Sequence, residues 1–480
     1  MNNLKFFRLY LTRLFRRYGQ KLLSSHKEID FTRKNILSKG VYVIVFLVII
    51  VLVLSVFLKK QSDMSCPIIS EGIVGAFNDS NLPVSVTALL SDGLFTLDKS
   101  GSPSAKLAES FNSNQENTVF NLTLRKGLTW NDGSIVKSSD IKISLPDIEV
   151  TYPNDNTINF KLADTFSPFW GLLTQPILKQ NTLTGLGDYK VTYKEINRGH
   201  ISKLILEPKD RNYCNSKPII SIRFYQDEQT IKTAFSLGEI DAILSVQDIS
   251  DFSKQPNVIV KKIQTFNKLV AIFYNYKDPI LDKNYRKALN YAISPISDET
   301  VAETSIPPIS WAFNGGIKDV HGDLVSAKTF LAKVESGKDK PVVLTTTKYF
   351  EGFAQRIIED WKKIGVNAVI RTESGNPQNF QALLTTVSIP HDPDQYTLWH
   401  STQVNTNIAK YSSPRADKDL EDGRKISDFE KRKEKYFDFQ KVLQDDAVAT
   451  FLYFPRINVI YRKRVENIFN KILPAQIVQY

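Results

Sequence analysis

Side chains that could carry covalent or metal chemistry are few in this chain of 480 residues. Two cysteines, Cys66 and Cys214, exclude a four-cysteine metal site and a disulfide-rich scaffold. The five histidines show no metal-ligand spacing, and His391 and His400 stand too far apart in sequence to indicate a nickel site. The residue types therefore predict no metal site.

Catalytic motifs are missing from the sequence as well. It contains no Gly-x-Ser-x-Gly turn and no phosphate-binding loop. Paired acids such as Asp445 and Asp446 fall on the polar face of a predicted helix, where carboxylates are usually solvated. We therefore expect a protein that is not an enzyme and that carries no cofactor.

The N-terminal segment indicates a membrane anchor. Residues 41–58, VYVIVFLVIIVLVLSVFL, carry no charge, and Gly40 with the stems of Lys59 and Lys60 can complete a bilayer span. A cleaved signal peptide is the alternative, but the apolar run is long and no small-x-small cleavage site follows it. We expect a transmembrane signal anchor that stays in place.

Charge gives the orientation of this anchor. The formal net charge is +11, and residues 1–40 alone hold ten Lys/Arg against two acids. Residues 61–480 are nearly balanced, with 50 Lys/Arg and 49 Asp/Glu, so the charge indicates no nucleic-acid partner. The positive-inside rule places residues 1–40 in the cytoplasm as a basic tail and residues 61–480 outside. In that oxidising milieu Cys66 and Cys214 either form a disulfide or stay as two buried thiols, and the sequence leaves both open.

The pattern of apolar residues predicts an α/β fold with two open sheets. Period-2 alternation dominates residues 67–225, as in TVFNLTL and NTINFKL, and predicts strands. Helical periodicity follows in YRKALNYAI, FAQRIIEDWKKIG and FEKRKEKYFDFQKVLQDD. The second of these helices should hold Lys362 and Lys363 in its last turn, end at Gly365 and lead into a strand at 367–372.

One stretch, FNLTLRKGLTWNDGSIVKSSDI (120–141), combines a strand end, an aromatic residue and a tight turn. In the Asn-Asp-Gly turn, Gly133 can adopt a positive φ at little cost and Asp132 favours the bend. We expect Trp130 to pack beneath this turn as part of a core. Asp132 and Gly133 are then structural residues too.

This stretch resembles the signature of the family 5 extracellular solute-binding proteins, the peptide, dipeptide and nickel binding components of ATP-binding-cassette (ABC) importers. Five further segments resemble the family in the same order. They are LLSDGLFTLDKSGSPSAKLAESF (89–111), LTGLGDYKVTY (183–193), FSLGEIDA (235–242), PILDKNYRKALNYAIS (279–294) and DPDQYTLWHSTQVNTNIAKYSSPRADKDLEDGRK (392–425).

The resemblance implies a two-lobed, type II periplasmic-binding-protein-like fold with discontinuous lobes, behind one N-terminal transmembrane helix. The first lobe would comprise residues 67–262 plus 448–480, and the second residues 263–447. The family's helix after the Trp turn has no counterpart, because Pro146 follows Asp140 closely and a strand starts almost at once. We therefore expect a trimmed subdomain near residues 90–180.

The function that the resemblance implies is a membrane-anchored, extracytoplasmic substrate-binding protein of an ABC importer. It would be a single-pass protein of the cell membrane that captures peptides in an interlobe cleft and delivers them to permease subunits. Two alternatives stay open, a cell-surface sensor or adhesin that reuses the binding fold, and a binder of a non-peptide solute.

Candidate ligand-binding residues follow from positions in the family pattern. A cleft strand that would pair with a peptide backbone maps to Thr385, Thr386, Val387 and Ser388. Other candidates are Phe77 and Asn78, at the end of the first strand, and Tyr274 and Asn275, where the chain would cross between lobes. Trp311 lies in IPPISWAF, which resembles a cleft loop, and Asp392 and Trp399 lie in the segment that resembles the family's Asp-Pro-Asp region.

Ile389 departs from the family pattern. Peptide binders of the family place there an Asp that holds the α-amine of the ligand, and Ile cannot do so. Peptides with a free amine, bound in the usual mode, are therefore in doubt unless His391, Asp392 or Asp394 replaces that carboxylate.

Overall fold

The computed structural model describes residues 66–477 except 99, 100, 142, 144–146, 215, 298, 376 and 378, together with Phe46, Val48 and Ile50. The chain separates into two compact units, Met1–Ser65 and Cys66–Tyr480. The predicted anchor at 41–58 lies outside the described residues apart from Phe46, Val48 and Ile50, which are helical. In the part that is described, no helix is both long enough and apolar enough to cross a membrane.

The first half of the second unit is rich in strands, as its alternating sequence predicts. Its elements in chain order are β1 (Ile68–Val74), α1 (Val84–Leu90), β2 (Phe95–Leu97), β3 (Pro103–Ala105), β4 (Ala108–Ser113), β5 (Val119–Leu124), β6 (Ile148–Asn154), β7 (Thr157–Leu162), α2 (Phe169–Leu172), β8 (Tyr189–Asn197), β9 (His200–Pro208), β10 (Ile219–Tyr225), α3 (Glu228–Leu237), β11 (Ala242–Val246) and β12 (Val258–Gln264).

The second half alternates helices and strands. Its elements are β13 (Lys268–Tyr274), α4 (Lys283–Ala292), β14 (Thr300–Val301), α5 (Leu324–Ala332), β15 (Val342–Thr346), α6 (Glu351–Lys363), β16 (Ala368–Thr372), β17 (Ala382–Ser388), α7 (Tyr396–Trp399), α8 (Pro414–Lys425), α9 (Phe429–Asp446), β18 (Ala449–Phe454), β19 (Arg456–Arg462) and α10 (Glu466–Gln476). The predicted mixed α/β class is confirmed.

A seven-stranded sheet in the order β12-β19-β11-β1-β10-β9-β8 forms the first large layer. The central strand β1 pairs in parallel with both β10 and β11. Helices α1 and α10 cover one face of this sheet, and α3 covers the other. Helix α3 begins at Asp227, whose carboxylate accepts the Thr230 N–H at 2.7 Å, and ends at Gly238 with φ of 83°.

A six-stranded sheet in the order β14-β18-β13-β17-β15-β16 forms the second large layer. Helices α4 and α6 pack on one face, and α7, α8 and α9 on the other. The predicted helix-to-strand step is confirmed: α6 carries Lys362 and Lys363 in its last turn, Gly365 has φ of 87°, and β16 pairs in parallel with β15.

A four-stranded sheet in the order β4-β5-β7-β6 forms a small subdomain beside the first layer. Trp130 is fully buried in its core, and the indole N–H donates to the Asp140 carboxylate at 3.3 Å. Among the described residues between Trp130 and β6, Ser138–Asp140 form a 3₁₀ turn. The packing expected of Trp130 is seen.

The chain crosses between the two large sheets twice, at adjacent points. The first crossing follows β12, and the second lies at Pro455, between β18 and β19. Here the side chains of Gln264 and Thr265 donate to the carbonyls of Phe454 and Pro455, at 3.0 and 3.2 Å. The two crossing strands are therefore bonded to each other, as in a two-strand hinge.

We call the part built on the first sheet and the small subdomain the first lobe (66–264 and 456–477), and the part built on the second sheet the second lobe (265–455). The expected boundary at residue 448 lies too early. Strand β18 pairs with β13 in the second sheet, so residues 449–454 belong to the second lobe.

Cys66 and Cys214 are joined by a disulfide, with their Cα atoms 4.8 Å apart. The bond ties the chain just before β1 to the loop just before β10. These two strands then pair in parallel from Ile68 and Ile219 onward. The disulfide therefore fixes the start of the central strand pair in the first sheet.

Candidate functional site

A cavity of about 280 Å³ lies between the two lobes. The described residues that line it from the first lobe are Gly101, Ser102, Pro103, Asn117, Phe120, Phe166, Ser167 and Trp170, and those from the second lobe are Trp311, Ser427, Phe429 and Arg432. Because both lobes supply walls, the contacts that a ligand makes in this cavity depend on the distance between the lobes.

The first-lobe wall is an aromatic cluster on the small subdomain. Phe120 points from β5 toward Trp170 of α2, and the two rings meet edge to face with centroids 5.0 Å apart. Phe169 stacks on the other side of Phe120 at 4.4 Å. Such contacts hold large rings in fixed orientations, so the wall is shaped before any ligand arrives.

The second-lobe wall is built on the first turn of α9 and on the loop that carries Trp311. The Trp311 and Phe429 rings lie 4.7 Å apart, and the Arg432 guanidinium sits over the Trp311 ring at 5.2 Å. Gln440 of α9 fixes the loop, because its amide donates to the Ala312 carbonyl at 2.8 Å and accepts the Asn314 N–H.

Arg432 is a charged residue that is almost fully buried, with 7% of its surface exposed to solvent. Its Nη2 donates to Asp392 Oδ1 at 2.6 Å and to the Tyr436 hydroxyl at 3.2 Å, and its Nε donates to the Gly423 carbonyl at 2.8 Å. Burial lowers the pKa of Arg432, but the Asp392 carboxylate and the Tyr436 hydroxyl together outweigh this and raise the pKa on balance. Arg432 and Asp392 therefore form a buried ion pair at the cavity wall.

A second ion pair lies behind the first. Arg424 Nε donates to Asp394 Oδ2 at 2.8 Å, and the Arg424 guanidinium stacks over Tyr396 at 4.1 Å and over Phe166 at 5.0 Å. Burial raises the pKa of Asp394, and Arg424 opposes that rise. Since Phe166 belongs to the first lobe, this cation–π contact also bridges the lobes.

Hydrogen bonds join the lobes beside the cavity. The Ser167 backbone N–H donates to the Arg424 carbonyl at 2.7 Å, and its hydroxyl donates to the Ile426 carbonyl at 2.6 Å. The Asn117 amide donates to the Ser427 hydroxyl at 2.6 Å. These contacts close the lobes over the aromatic walls.

The structure places the candidate residues from the sequence in different surroundings. Trp311 lines the cavity, and Asp392 supports Arg432 from behind. Tyr274 and Trp399 are instead buried in the second-lobe cores, where Tyr274 bonds Thr450 and Trp399 bonds Gln395. In this arrangement packing inside the lobe occupies both side chains, and the role of Tyr274 and Trp399 in contacting ligand stays a prediction.

Three more candidates lie in turns or on packing surfaces. Phe77 packs on Phe224 with ring centroids 5.1 Å apart, and Asn78 caps its own turn by accepting from Ser80. Asn275 donates to the Phe380 carbonyl at 3.1 Å. Among the described lining residues of the interlobe cavity, none of the three is present.

Thr385, Thr386, Val387 and Ser388 form the C-terminal half of β17. They pair with β13 on one side, whereas β15 pairs only with Ala382 and Leu383 on the other. Within the described chain no strand pairs with 385–388 on that second side, which is the side where an added strand would have to pair. None of the four is among the described residues that line the cavity.

Ile389 is buried in a second-lobe core, and its N–H donates to the Asn267 carbonyl. The three groups considered as substitutes for an acid at this position have other surroundings. Asp392 and Asp394 pair with Arg432 and Arg424, and burial lowers the pKa of His391, which favours the neutral ring. Across the described residues, no cluster of three or more His, Cys, Asp or Glu side chains could hold a metal ion.

The sequence did not reveal most of the cavity wall. Phe120, Phe166, Trp170, Phe429 and Arg432 were not singled out, because aromatic residues on strands and short helices look like ordinary core residues. Arg432 lies in a helix crowded with charges, EKRKEK, where a cation predicts a solvated face. Tyr436, one helical turn later, could have indicated the position of Arg432. It places an aromatic ring on the same face of the helix as Arg432.

A larger cavity, of about 680 Å³, lies inside the first lobe between α1, α10 and the segment 186–189. All the described residues that line it belong to the first lobe. It cannot sense lobe closure directly, so the interlobe cavity is the better candidate for a site coupled to a hinge.

Comparison with known proteins identifies a matching family and related proteins. The family model described as bacterial extracellular solute-binding proteins, family 5, middle, matches residues 102–407. The oligopeptide-binding protein AppA of Bacillus subtilis is 26% identical over 451 residues, which covers 75% of this chain and 80% of AppA.

Two solved structures share the fold. The ABC transporter substrate-binding protein CtaP of Listeria monocytogenes superposes with a TM-score of 0.70 at 20% identity, over 83% of this chain and 94% of CtaP. NikZ of Campylobacter jejuni, solved with Ni(L-His), gives a TM-score of 0.67 at 20% identity, over 83% of this chain and 94% of NikZ.

Proposed function

The chain belongs to the bacterial extracellular solute-binding proteins of family 5, and from this premise we propose that it captures a small solute between its lobes for an ABC importer. Binding proteins of this family work outside the cytoplasm and with ABC permeases. The chain itself supplies capture and closure, and other subunits supply the permease and the hydrolysis of ATP.

The observation that carries the proposal is the interlobe cavity. Aromatic side chains from both lobes face it, and Ser167 and Asn117 reach across to the second lobe beside it. A ligand that touches both walls binds the closed form better than the open form, and so shifts the hinge toward closure. Rotation about Gln264, Thr265 and Pro455 would open it.

Peptides are one solute class that fits this proposal. AppA of Bacillus subtilis, a relative, is named as oligopeptide-binding. The open edge of β17 at 385–388 would let a peptide backbone pair as an added strand. A non-peptide solute is the second candidate, and the burial of Ile389 and the pairing of Asp392 and Asp394 favour it.

Anchoring to the membrane is part of the proposal. The uncharged run 41–58 and the ten Lys/Arg residues before it support a single span with the binding unit outside. Extraction of cell membranes at alkaline pH tests it. The full chain should stay in the pellet, and a chain that begins at residue 61 should be released. Release of the full chain would contradict the anchor.

Native mass spectrometry of the full chain, freed from detergent micelles, tests solute capture. We expect a mass excess on the folded protein that disappears when the protein is mildly denatured. A Trp311→Leu variant should lose it, and Tyr213→Leu, which changes an exposed aromatic residue of the first lobe, should keep it. A protein that shows no mass excess and also binds nothing from peptide pools would favour a sensor or adhesin role.

A further inference from the structure

We propose that the interlobe cavity selects a ligand that is uncharged where it meets the protein: a single aromatic or apolar group next to a carbonyl-type acceptor that faces Arg432. This inference rests on the proposed function, since it specifies the ligand of the same cavity. It follows from the charges, donors and volume that the two lobes enclose.

The charge of the wall is balanced before any ligand enters. Among the described residues that line the cavity, Arg432 alone carries a formal charge. Asp392 neutralises it at 2.6 Å, and only 8% of the Arg432 side chain and 16% of the Asp392 side chain are exposed. The pair therefore presents no net charge to the cavity, and little water can compensate for an added one.

Three buried ionisable groups near the wall, Asp394, Arg424 and Tyr436, also have partners. Asp394 pairs with Arg424 at 2.8 Å, and the Arg424 guanidinium is stacked on Tyr396 and Phe166. The Tyr436 hydroxyl lies 3.2 Å from Arg432 Nη2, and burial raises the pKa of that phenol. Neither pair leaves an uncompensated charge for a ligand to use.

A charged ligand group would then have to break or overload the pair. An ammonium would need to displace Arg432 from Asp392 and leave a buried guanidinium without its partner. A carboxylate would share Arg432 with Asp392 and leave one excess negative charge among aromatic rings. Both cost free energy that an uncharged ligand does not lose.

One donor group of Arg432 remains for the ligand. Its Nε and Nη2 are engaged with Gly423, Asp392 and Tyr436. Nη1 has no hydrogen-bond partner among the described residues, and Arg432 lines the cavity. Two N–H groups of a guanidinium are suited to a carbonyl oxygen.

The volume and the aromatic walls limit the rest of the ligand. A cavity of about 280 Å³ lies just below the size of typical ligand sites, which run from about 300 to 1,000 Å³. Five aromatic side chains line it, from Phe120, Phe166, Trp170, Trp311 and Phe429. This space suits one aromatic or branched apolar group, in a capped amino acid or in one residue of a longer ligand.

Three probes of one shape and different charge test the proposal. They are N-acetyl-L-phenylalaninamide (neutral), L-phenylalaninamide (cationic at pH 6, where α-amines are protonated) and N-acetyl-L-phenylalanine (anionic). Binding to the full chain in detergent is measured at pH 6 by titration calorimetry. We expect the neutral probe to bind at least tenfold more tightly than either charged probe.

Equal or tighter binding of a charged probe would overturn the proposal, and so would the failure of all three to bind. Neither result would contradict the proposed function if native mass spectrometry still shows a mass excess that Trp311→Leu removes. The two inferences can therefore fail separately.

Charge-altered variants sharpen the test. Asp392→Asn keeps the shape but leaves Arg432 uncompensated, so the affinity ratio of the anionic to the neutral probe should rise at least tenfold. Asp394→Asn is the matched control, because it removes an equivalent carboxylate whose partner, Arg424, is not among the described lining residues. An equal rise in both variants would contradict the assignment, and the comparison on the unaltered chain stands even if Asp392→Asn does not fold.

Discussion

Ser167 of the first lobe donates its hydroxyl to the carbonyl of Ile426 in the second lobe, at 2.6 Å. Its N–H reaches the Arg424 carbonyl at 2.7 Å. These two carbonyls belong to the C-terminal end of α8, where backbone acceptors lack partners within the helix. One residue of the first lobe thus satisfies the end of a second-lobe helix, and only when the lobes are together.

Ser167→Ala should weaken the closed form. A net hydrogen bond of about 1 kcal/mol corresponds to roughly fivefold weaker binding of any ligand that requires closure. Titration calorimetry with a ligand identified by mass spectrometry measures the change. Thr174→Ala is the control, because the Thr174 hydroxyl bonds the Gly171 carbonyl within the same lobe. Equal losses in the two variants would show that Ser167 does not act through closure.

Gly101 is a second point where the lobes touch. A Cβ at Gly101 would lie 2.4 Å from Nε1 of Trp311, and its φ is +75°. Gly101→Ala should therefore force Trp311 away and abolish tight ligand binding, since the ring cannot give way without opening the wall. The measurement is affinity by calorimetry, together with the thermal midpoint of unfolding.

Gly127 offers a matched control for this substitution. It also has φ of +75°, but a Cβ there meets nothing within 4 Å. Both alanine variants should lose about 1 kcal/mol of stability from the left-handed backbone, so only the clash distinguishes them. If Gly127→Ala lowers affinity as much as Gly101→Ala, contact with Trp311 is not the cause.

The disulfide between Cys66 and Cys214 should stabilise the binding unit strongly. It closes a loop with a sequence separation of 148 residues. Chain-entropy reasoning gives on the order of 5 kcal/mol for such a loop, and measured effects are commonly about 2–4 kcal/mol. The double variant Cys66→Ala, Cys214→Ala should lower the free energy of unfolding in urea by about 2–5 kcal/mol. Dithiothreitol should destabilise the natural chain and leave the double variant unchanged.

Local features could be predicted from sequence because neighbouring residues determine them. The end of α6 at Gly365 and the packing of Trp130 beneath its turn depend on a few adjacent residues, and both predictions are confirmed. The boundary at 448 was wrong because an apolar strand does not show which sheet it joins. Strand β18 could join either sheet, and only its pairing with β13 decides.

The cavity wall could not be predicted in the same way. Asn117 and Ser427, which meet beside it, are separated by 310 residues. Tyr274 was chosen because it lies near a predicted lobe crossing, and Trp399 because it matches the Trp that follows the family's Asp-Pro-Asp segment. Both side chains turn into cores of the second lobe. Which face of a strand or short helix points into a cleft depends on the packing of both lobes, and one sequence does not give it.

Glu71 should make the stability of the first lobe depend on pH. It is fully buried on the central strand β1, and its Oε2 accepts from the Gln476 amide at 2.6 Å. Burial raises the pKa of Glu71 from 4.5 to about 7, and the bond from Gln476 opposes that rise only in part. The folded state therefore holds this proton more tightly than the unfolded state.

The sign of the effect follows from that difference. Stability from this group is fully present below pH 4.5 and is lost as the pH rises to about 7, by on the order of 3 kcal/mol. Glu71→Gln stays neutral at every pH, so its stability advantage over the natural chain should grow by that amount between pH 4.5 and pH 8. Urea unfolding at both pH values measures the growth. The growth should exceed that of Glu149→Gln, which removes an exposed carboxyl of β6 and serves as the control. If the free energies of unfolding of Glu71→Gln and of the natural chain differ by the same amount at both pH values, the buried carboxyl is not the group that titrates.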